Sequence, residues 1–231
     1  MTRYAFIFAR GGSKGLPRKN VLPLAGKPLL AYSIDSAKQA GGFDRIFVST
    51  DNDEIAEVAL KHGAEVISRP SELAQDTSPE WLAWQHAIAW VEDKYGPFDT
   101  FVSLPTTSPL RSSDDINAAI EQLASSDADI CISVTEAARN PYFNMVTRHS
   151  DGSVKVVISP DGKVVRRQDA PEVFDITTVV YAAHCRYIKT GTGVLCGKVT
   201  SICIPRERAV DIDTQLDFDF AQLLISKRGS N

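Results

Sequence analysis

The sequence predicts an α/β protein that has a largely parallel sheet, helices on both faces and a small hairpin insertion. Two observations support this prediction. Over the first 135 residues, short apolar runs alternate with amphipathic segments, which is the pattern of strand–helix–strand crossovers. The 231 residues include 43% hydrophobic and 23% charged residues, which is close to the average for globular domains. We therefore predict a single domain over residues 1–231.

The alternation supplies five strands and four helices in this first part of the chain. The predicted strands are short apolar runs at residues 4–9, 45–50, 64–69, 98–104 and 128–134. The predicted helices have apolar residues at helical spacing, at residues 27–41, 51–63, 78–96 and 112–126. In a parallel sheet, ligands bind outside the carboxyl ends of the strands, so we expect the loops after these strands to form one cleft.

The pattern changes between about residues 136 and 195, which we predict to be a hairpin-bearing insertion. Asp151-Gly152 and Asp161-Gly162 are turn signals between alternating β-branched residues, so antiparallel hairpins are expected there. Residues 177–183 indicate a further core strand. Residues 198–227 indicate a last strand, a loop and a closing helix.

Composition excludes several functional classes. The net charge of −4 argues against a general binder of nucleic acid or of membrane surfaces. The apolar run near the N-terminus is too short for a signal peptide or a membrane span. The four cysteines have no CxxC spacing and indicate free thiols in a reducing compartment. We therefore expect a cytoplasmic protein that binds neither nucleic acid nor membrane.

The stretch "ARGGSKGLPRKN" at residues 9–20 follows the first predicted strand. Its glycines allow the backbone to approach a ligand and present N–H groups to an anion. Four cations accompany them, and the stretch has no acidic residue; the cations are Arg10, Lys14, Arg18 and Lys19. The stretch matches neither GxGxxG nor GxxxxGK[ST], so those binding modes do not transfer. Its position at the end of a sheet strand favours a polyphosphate site over a solvated basic loop.

A second motif, "VDIDTQLDFD", occupies residues 210–219. Asp211 and Asp213 are two positions apart, so both side chains of an extended segment point the same way. Mg²⁺ takes one or two carboxylates together with phosphate and water oxygens. The alternative is a helix cap with an uninvolved neighbour, while Asp217 and Asp219 are expected to face solvent in the following helix. A basic phosphate loop and an acidic pair on one sheet together favour a site for Mg²⁺ and a triphosphate.

Two further stretches are less specific. "SLPTTSPLR" at residues 103–111 combines prolines with hydroxyl groups and is either a rigid turn or part of the site. "RRQD" at residues 166–169 is either a ligand contact or a solvated edge. The four histidines form no motif with a Ser or Cys nucleophile, and the sequence has no zinc-type ligand cluster.

Six motifs, in this order, resemble the acylneuraminate cytidylyltransferases, which are the CMP–sialic acid synthetases. These motifs are "RGGSKGLPRKN", "FDRIFVSTD", "ISRPSELAQDTS", "TSPLR", "RRQDAP" and "VDIDTQLDF". The resemblance covers nearly the whole chain and implies a Rossmann-like nucleotidyltransferase fold that transfers CMP from CTP to a sialic-acid-like, or nonulosonic, sugar acid. It also implies Mg²⁺ as cofactor, CTP and a sugar acid as ligands, and a homodimer whose dimerisation region is the insertion at about residues 136–195.

The resemblance assigns roles by position. It implies that the nucleotide is held by Arg10, Gly11, Gly12, Ser13, Lys19, Asn20 and Arg69. Arg10, Lys19 and Asp211 become the candidate catalytic residues, and Asp211 and Asp213 the metal pair. Arg167 and Gln168 match the segment that reaches the sugar. The remaining candidate substrate-binding residues are Thr106, Thr107 and Asp175.

The departures from the family pattern fall on the sugar side. Family members typically read "LQPTSPLR" where this chain has "LPTTSPLR", so Pro105 stands near the position of a sugar-contacting glutamine. "DITT" at residues 175–178 replaces an "RPNG"-like turn, and Phe143 replaces a lysine. These changes leave open a legionaminic-type 5,7-diamino acid as the acceptor instead of Neu5Ac. A CMP-Kdo-type enzyme, another sugar nucleotidyltransferase and a non-catalytic nucleotide-binding protein are the alternative functions.

Overall fold

The computed structural model describes residues 1–13, 15–159 and 166–228. Lys14 and the predicted Asp161-Gly162 turn lie outside these residues. The strands, in chain order, are β1 (Arg3–Phe8), β2 (Pro23–Leu24), β3 (Lys27–Pro28), β4 (Arg45–Thr50), β5 (Glu65–Ser68), β6 (Thr100–Ser103), β7 (Ile130–Glu136), β8 (Val146–Arg148), β9 (Val154–Val156), β10 (Phe174–His184) and β11 (Val199–Cys203). The helices are α1 (Leu29–Ala40), α2 (Asp53–Lys61), α3 (Glu80–Tyr95), α4 (Ser113–Ala124), α5 (Cys185–Thr190) and α6 (Gln215–Arg228).

Among the described residues, seven strands form one sheet in the order β11-β7-β10-β6-β1-β4-β5. All neighbouring pairs are parallel except those of β10, which runs antiparallel to both β6 and β7. The prediction of a largely parallel α/β sheet is confirmed. The antiparallel direction of β10 was not predicted.

The sheet is covered on both faces because its strands are apolar on both sides. In β1, Ala5 and Ile7 pack on one face with apolar residues of α1, α2 and α4. Tyr4 and Phe6 pack on the other face with aromatic and aliphatic residues of α3 and α5. Burial of strands on both faces is characteristic of parallel sheets and explains the continuous apolar runs in the sequence. The helix α6 closes a third cluster together with Leu16, Leu24 and Leu110.

Two of the helices, α2 and α4, begin at residues whose side chains cap them. The Asn52 side chain accepts a hydrogen bond from the Ile55 N–H at the start of α2, and Ser112 and Asp115 form a capping box at the start of α4. Predicted and observed boundaries differ by about two residues at most of these ends, as the fraying of helix ends leads one to expect.

Between β7 and β10 the described chain leaves the central sheet and forms the β8–β9 hairpin. The predicted turn at Asp151-Gly152 lies between these two strands, and Gly152 has a φ of 87°, which favours glycine. Residues 174–184 of the predicted insertion form β10 in the central sheet. Among the described residues, no helix has the length and apolar character needed to span a membrane.

Candidate active site

The loop after β1 is held in place by one hydrogen bond within the loop and by contacts with neighbouring segments. The Gly11 N–H donates to Oδ1 of Asp51 at 2.9 Å, and the Ser13 N–H donates to the Gly11 carbonyl at 3.2 Å. The Arg10 guanidinium forms an ion pair with Asp76, with Nη1 and Oδ1 2.5 Å apart. A side chain built at Gly12 would meet no atom within 4 Å, so the backbone there is open to a ligand. Of the two glycines, Gly12 has the more exposed backbone.

Asn20 connects two loops of the cleft. Its Nδ2 donates to the carbonyl oxygen of Arg10 at 3.0 Å, and its Oδ1 accepts from the buried Thr106 hydroxyl at 2.6 Å. The predicted nucleotide contact therefore has its side-chain amide engaged by the protein. Asn20 fixes the loop after β1 to the loop after β6.

Lys19 reaches from the first loop to the acidic segment near the C-terminus. It is 9% exposed, and its Nζ donates to the carbonyl oxygen of Ile212 at 2.5 Å and to Oδ1 of Asp213 at 3.2 Å. The backbone packs equally closely here, since a Cβ added to Gly15 would lie 2.3 Å from the Asp213 carbonyl oxygen. The structure thus brings together the basic loop and the acidic pair that the sequence singled out. Arg18, by contrast, is exposed and paired with Glu54.

Asp211 and Asp213 have different surroundings. Burial raises the pKa of Asp211, and the nearby charge of Asp213 raises it further, while the hydroxyls of Thr107 and Thr178 and the Lys19 ammonium lower it. Oδ1 of Asp211 is buried and has no hydrogen-bond partner among the described residues. Asp213 is exposed and faces Lys19.

This arrangement fits a magnesium ion that the protein holds only in part. A buried carboxylate oxygen without a partner needs a cation or a donor to offset the cost of its burial. Among the described residues, no three His, Cys, Asp or Glu side chains are grouped so that they could hold a metal ion. Two carboxylates with phosphate and water oxygens are a usual ligand set for Mg²⁺. Asp211 and Asp213 would hold the ion together with a bound triphosphate.

The loop after β6 is fixed from behind by Arg111. This arginine is buried, and it donates to the Val179 carbonyl at 2.7 Å, to Oγ of Ser33 at 2.6 Å and to the Pro105 carbonyl. In the same loop, the Thr107 carbonyl accepts from the Ile212 N–H at 2.8 Å. "SLPTTSPLR" is therefore a rigid turn that also positions the acidic segment.

The cleft contains two neighbouring cavities. One, of about 160 Å³, contains Ser13, Lys19, Asn20, Thr106 and Thr107. The other, of about 240 Å³, contains Arg69, Gln75, Asp76, Ser78 and Glu80. Phe8 and Arg10 line both cavities, so the two are neighbours on either side of these side chains.

Arg69 is buried at the far end of this cleft. Its Nε donates to Oγ of Ser49 at 3.1 Å and its Nη2 to the Ser49 carbonyl at 2.7 Å. Burial lowers the pKa of its guanidinium, and the charges of Asp51 and Glu80 offset part of that shift. Arg69 is therefore rigidly held beside two carboxylates.

The candidate sugar-binding residues lie elsewhere. Arg167 and Gln168 line a separate cavity of about 330 Å³, which shares no lining residue with the two cavities of the cleft. Nη2 of Arg167 donates to the Ala137 carbonyl at 3.0 Å. Asp175 is exposed near the start of β10, where it pairs with Thr135. The structure brings Thr106 and Thr107 to the Lys19 cavity, but does not place Arg167 and Gln168 there.

Sequence reasoning missed two residues of the cleft. The Thr178 hydroxyl lies 3.2 Å from that of Thr107 and 2.8 Å from that of Ser108, beside Asp211. Glu80, the first residue of α3, opens into the Arg69 cavity. "DITT" was a signal for Thr178 only as a departure from a family pattern, and nothing local in the sequence distinguished Glu80 from an ordinary first-turn acid.

Comparisons with known proteins identify the family of this chain. The family model described as cytidylyltransferase matches residues 4–215. The chain is 39% identical to the CMP-N,N'-diacetyllegionaminic acid synthase of Campylobacter jejuni over 223 residues, which are 95% of this chain and 93% of the relative. It is 38% identical to the post-translational flagellin modification protein B of Campylobacter coli over 96% of this chain and 94% of the relative.

A solved structure supports the fold independently. The CMP:2-keto-3-deoxy-manno-octonic acid synthetase, complexed with CTP, superposes with a TM-score of 0.73, and the match covers 99% of this chain and 100% of that one. At 13% identity this likeness concerns the fold alone. The match of the family model over most of the sequence, together with the two Campylobacter relatives, shows that the chain is a nucleotidyltransferase of the cytidylyltransferase family.

Proposed function

We propose that this enzyme transfers CMP from CTP to the anomeric hydroxyl of a nonulosonic acid and releases pyrophosphate. The observation that carries the proposal is the contact of Lys19 with the Asp211–Asp213 segment at the end of the sheet where the nucleotide would bind. This contact places a cation that could bind phosphate beside two carboxylates that could bind a metal ion. The legionaminic acid synthase among the relatives supports the class of acceptor.

In this mechanism the sugar hydroxyl attacks the α-phosphorus in line, a new oxygen–phosphorus bond forms, and the bond to the β-phosphate oxygen breaks. Asp211 and Asp213 would hold Mg²⁺, which neutralises charge on the phosphate oxygens when bound. Lys19 and Arg10 offset the charge that develops in the transition state. The hydroxyl proton passes either to the Asp211 carboxylate or to water.

When a nucleotide binds, Lys19 and Arg10 would exchange their present protein partners for phosphate oxygens. Lys19 is bonded to Ile212 and Asp213, and Arg10 to Asp76, so both cations are held in place before a phosphate arrives. Arg10 is about one-third exposed and can turn toward a ligand at little cost. Gly11, Gly12 and Ser13 supply backbone to the phosphates, and Asn20 keeps the loop in position.

For the acceptor, we propose a 5,7-diacetamido acid of the legionaminic type in preference to Neu5Ac. Phe143 is half-buried and Asp175 is exposed, so the segment offers an aromatic face and an acceptor for amide N–H groups. Arg167 and Gln168 are the candidate contacts for the sugar acid. If the bound sugar covers Asp175, an acceptor without a donor for this carboxylate loses about 1–3 kcal/mol, and this difference would favour the 5,7-diacetamido acid.

We further propose a homodimer formed through the segment around the β8–β9 hairpin. Large apolar side chains are exposed there, namely Met145, Val146, Val154, Val157, Ile158, Phe174 and Ile176. A cluster of this kind is typical of an interaction surface. Val154→Asp should shift sedimentation equilibrium toward the monomer, while Leu60→Asp, at an equally exposed leucine of α2, should not. An unchanged mass in Val154→Asp would contradict the dimer surface.

The test of the function is pyrophosphate release with CTP, Mg²⁺ and a panel of acceptors. The panel contains a 5,7-diacetamido nonulosonic acid, Neu5Ac and Kdo, and mass spectrometry identifies the CMP-sugar. Turnover of nonulosonic acids is expected, with the 5,7-diacetamido acid having the higher kcat/KM. Selective turnover of Kdo would favour the CMP-Kdo alternative, and binding without turnover would favour the nucleotide-binding alternative. A cytoplasmic location, which we also propose, fits a chain whose four cysteines are free.

A further inference from the structure

The strand β10 contains a bulge where it passes the cleft. Thr177 pairs with Ser133 of β7, and the next pair that the two strands form is Tyr181 with Ile132. Because Ile132 and Ser133 are adjacent in β7, residues 178–180 are extra residues of β10. A bulge interrupts the ladder of backbone hydrogen bonds and changes the direction of the side chains it contains. Bulges are common beside active sites, where they re-aim a side chain.

Two buried side chains hold the bulge in one conformation. The hydroxyl of Ser133, which is fully buried, accepts from the Val180 N–H at 3.0 Å and from the Thr177 hydroxyl at 2.9 Å. It donates its own proton to the Thr177 carbonyl at 3.1 Å. The Arg111 guanidinium donates to the Val179 carbonyl at 2.7 Å. Side chains thus bond backbone groups that the interrupted ladder does not, and the conformation of the bulge is fixed.

Thr178, within the bulge, faces the loop after β6 and Asp211. Its hydroxyl oxygen lies 2.8 Å from that of Ser108, which is fully buried, and 3.2 Å from that of Thr107. Thr107 and Thr178 are also the hydrogen-bond donors beside the Asp211 carboxylate. A hydroxyl has a single proton, so a Thr178 that donates to this carboxylate accepts from Ser108. Ser108 therefore favours the orientation in which Thr178 donates to Asp211.

The two oxygens of the Asp211 carboxylate have different surroundings. Oδ1 is buried and has no hydrogen-bond partner among the described residues, so the threonine hydroxyls serve the other oxygen, Oδ2. A carboxylate that is held through one oxygen presents the other in a fixed direction. Metal-binding carboxylates are commonly held by such outer hydrogen bonds, and loss of one typically costs about 10–100-fold in metal affinity or activity.

We propose that Thr178 is a positioning residue for Asp211, which it holds through Oδ2 so that Oδ1 is presented to Mg²⁺ on the bound triphosphate. In this role Thr178 acts through Asp211 and not on the substrates directly. The inference rests on the proposed role of Asp211 as a Mg²⁺ ligand. The alternative is that Thr178 only ties β10 to the loop after β6, so that its hydroxyl matters for stability and not for Mg²⁺.

Calorimetric titration of the whole protein with CTP, without acceptor, tests this role in the absence of catalysis. The measured quantity is the ratio of the CTP dissociation constant in EDTA to that in excess Mg²⁺. In Thr178→Val, which keeps the shape and removes the hydroxyl, this ratio should fall by about tenfold relative to wild type. Thr178→Ser keeps the hydroxyl and should retain the wild-type ratio. Thr200→Val is the matched control, because it removes a half-buried hydroxyl of β11 that bonds Gln122.

The Mg²⁺ dependence of pyrophosphate release gives a second readout. Thr178→Val should need about tenfold more Mg²⁺ for its half-maximal rate. Most of its kcat should return when Mg²⁺ is raised, because a displaced ligand weakens the metal site without removing it. A merely structural defect would not be reversed by Mg²⁺.

The outcomes separate this inference from the proposed function. A wild-type ratio in Thr178→Val, with the circular dichroism spectrum intact, would overturn the positioning role and leave the transfer reaction standing. An equal loss in Thr178→Ser and Thr178→Val would also overturn it, because the serine retains the donor. A wild-type ratio in Asp211→Asn would contradict the Mg²⁺ site and the positioning role together. If Thr178→Val does not fold, Thr178→Ala takes its place under the same criteria.

Discussion

The ammonium group of Lys19 lies 3.2 Å from Oδ1 of Asp213, although 194 positions separate the two residues in the chain. A second bond, to the Ile212 carbonyl, makes Lys19 a link between the loop after β1 and the segment of Asp211 and Asp213. The same side chain that would neutralise a phosphate thus also holds the acidic segment in place before the phosphate binds.

Lys19→Ala should lower kcat more than it raises KM for CTP, since a group that acts on transition-state charge affects the chemical step most. Arg18→Ala is the matched control, because Arg18 is exposed and paired with Glu54 away from Lys19. Steady-state kinetics of pyrophosphate release measures both. Equal and small effects at the two positions would contradict a catalytic role for Lys19.

Asp211→Asn and Asp213→Asn should each reduce turnover by about 10²-fold or more, because either change removes one carboxylate of the proposed Mg²⁺ pair. The thermal stability of Asp211→Asn should be retained or slightly increased, since burial already disfavours the charged form of Asp211. Asp219→Asn, on the exposed side of α6, is the control. If Asp211→Asn keeps Mg²⁺-dependent rates near the wild-type value, Asp211 is not a ligand of the catalytic Mg²⁺.

Gly15→Ala should destabilise the protein and lower its activity, because the new methyl group would lie 2.3 Å from the Asp213 carbonyl oxygen and the segment must move. Gly12→Ala has open space around its Cβ and should keep the wild-type melting temperature, although it should raise KM for CTP. Thermal unfolding followed by circular dichroism compares the two. Similar melting temperatures for both variants would show that the close approach at Gly15 is easily relieved.

Arg111→Leu should lower the free energy of unfolding by about 3 kcal/mol or more, because it leaves buried acceptors on Val179, Ser33 and Pro105 unpaired. Arg186→Leu removes an exposed arginine and should change stability by less than about 0.5 kcal/mol. Urea denaturation gives both values. A mild effect at Arg111 would mean that water can replace its hydrogen bonds.

Two of the four thiols should react rapidly with an aromatic disulfide reagent at pH 8, namely those of Cys196 and Cys203, which are exposed. Burial raises the pKa of Cys131 and of Cys185 to about 12, so their reactive thiolate forms are scarce at this pH. All four should react after unfolding in guanidinium. Rapid modification of four thiols in the folded protein would contradict the burial of Cys131 and Cys185.

The sequence predicts most of the elements because the apolar runs and helical spacing that define them are local. It does not predict the place of β10, since a strand of alternating residues fits beside many neighbours in either direction. The approach of Lys19 to Asp213 could be inferred only from the shared edge of the sheet. Thr178 could not be singled out, because its contacts with the loop after β6 and with Asp211 arise only from the position of β10 in the folded sheet.

The strand β10 has a consequence for engineering the acceptor preference. Asp175 is an exposed residue near the start of the strand, and only three positions later Thr178 contacts the loop beside Asp211, where the register with β7 shifts. A substitution at residues 174–178 that is meant to change the proposed acceptor preference would therefore also affect the surroundings of Asp211, the proposed metal ligand. Library design for new acceptors should therefore begin with residues 139–140 and 170–173, which line the Arg167–Gln168 cavity outside the central sheet. Arg167, Gln168 and the exposed apolar side chains of the β8–β9 hairpin should be kept.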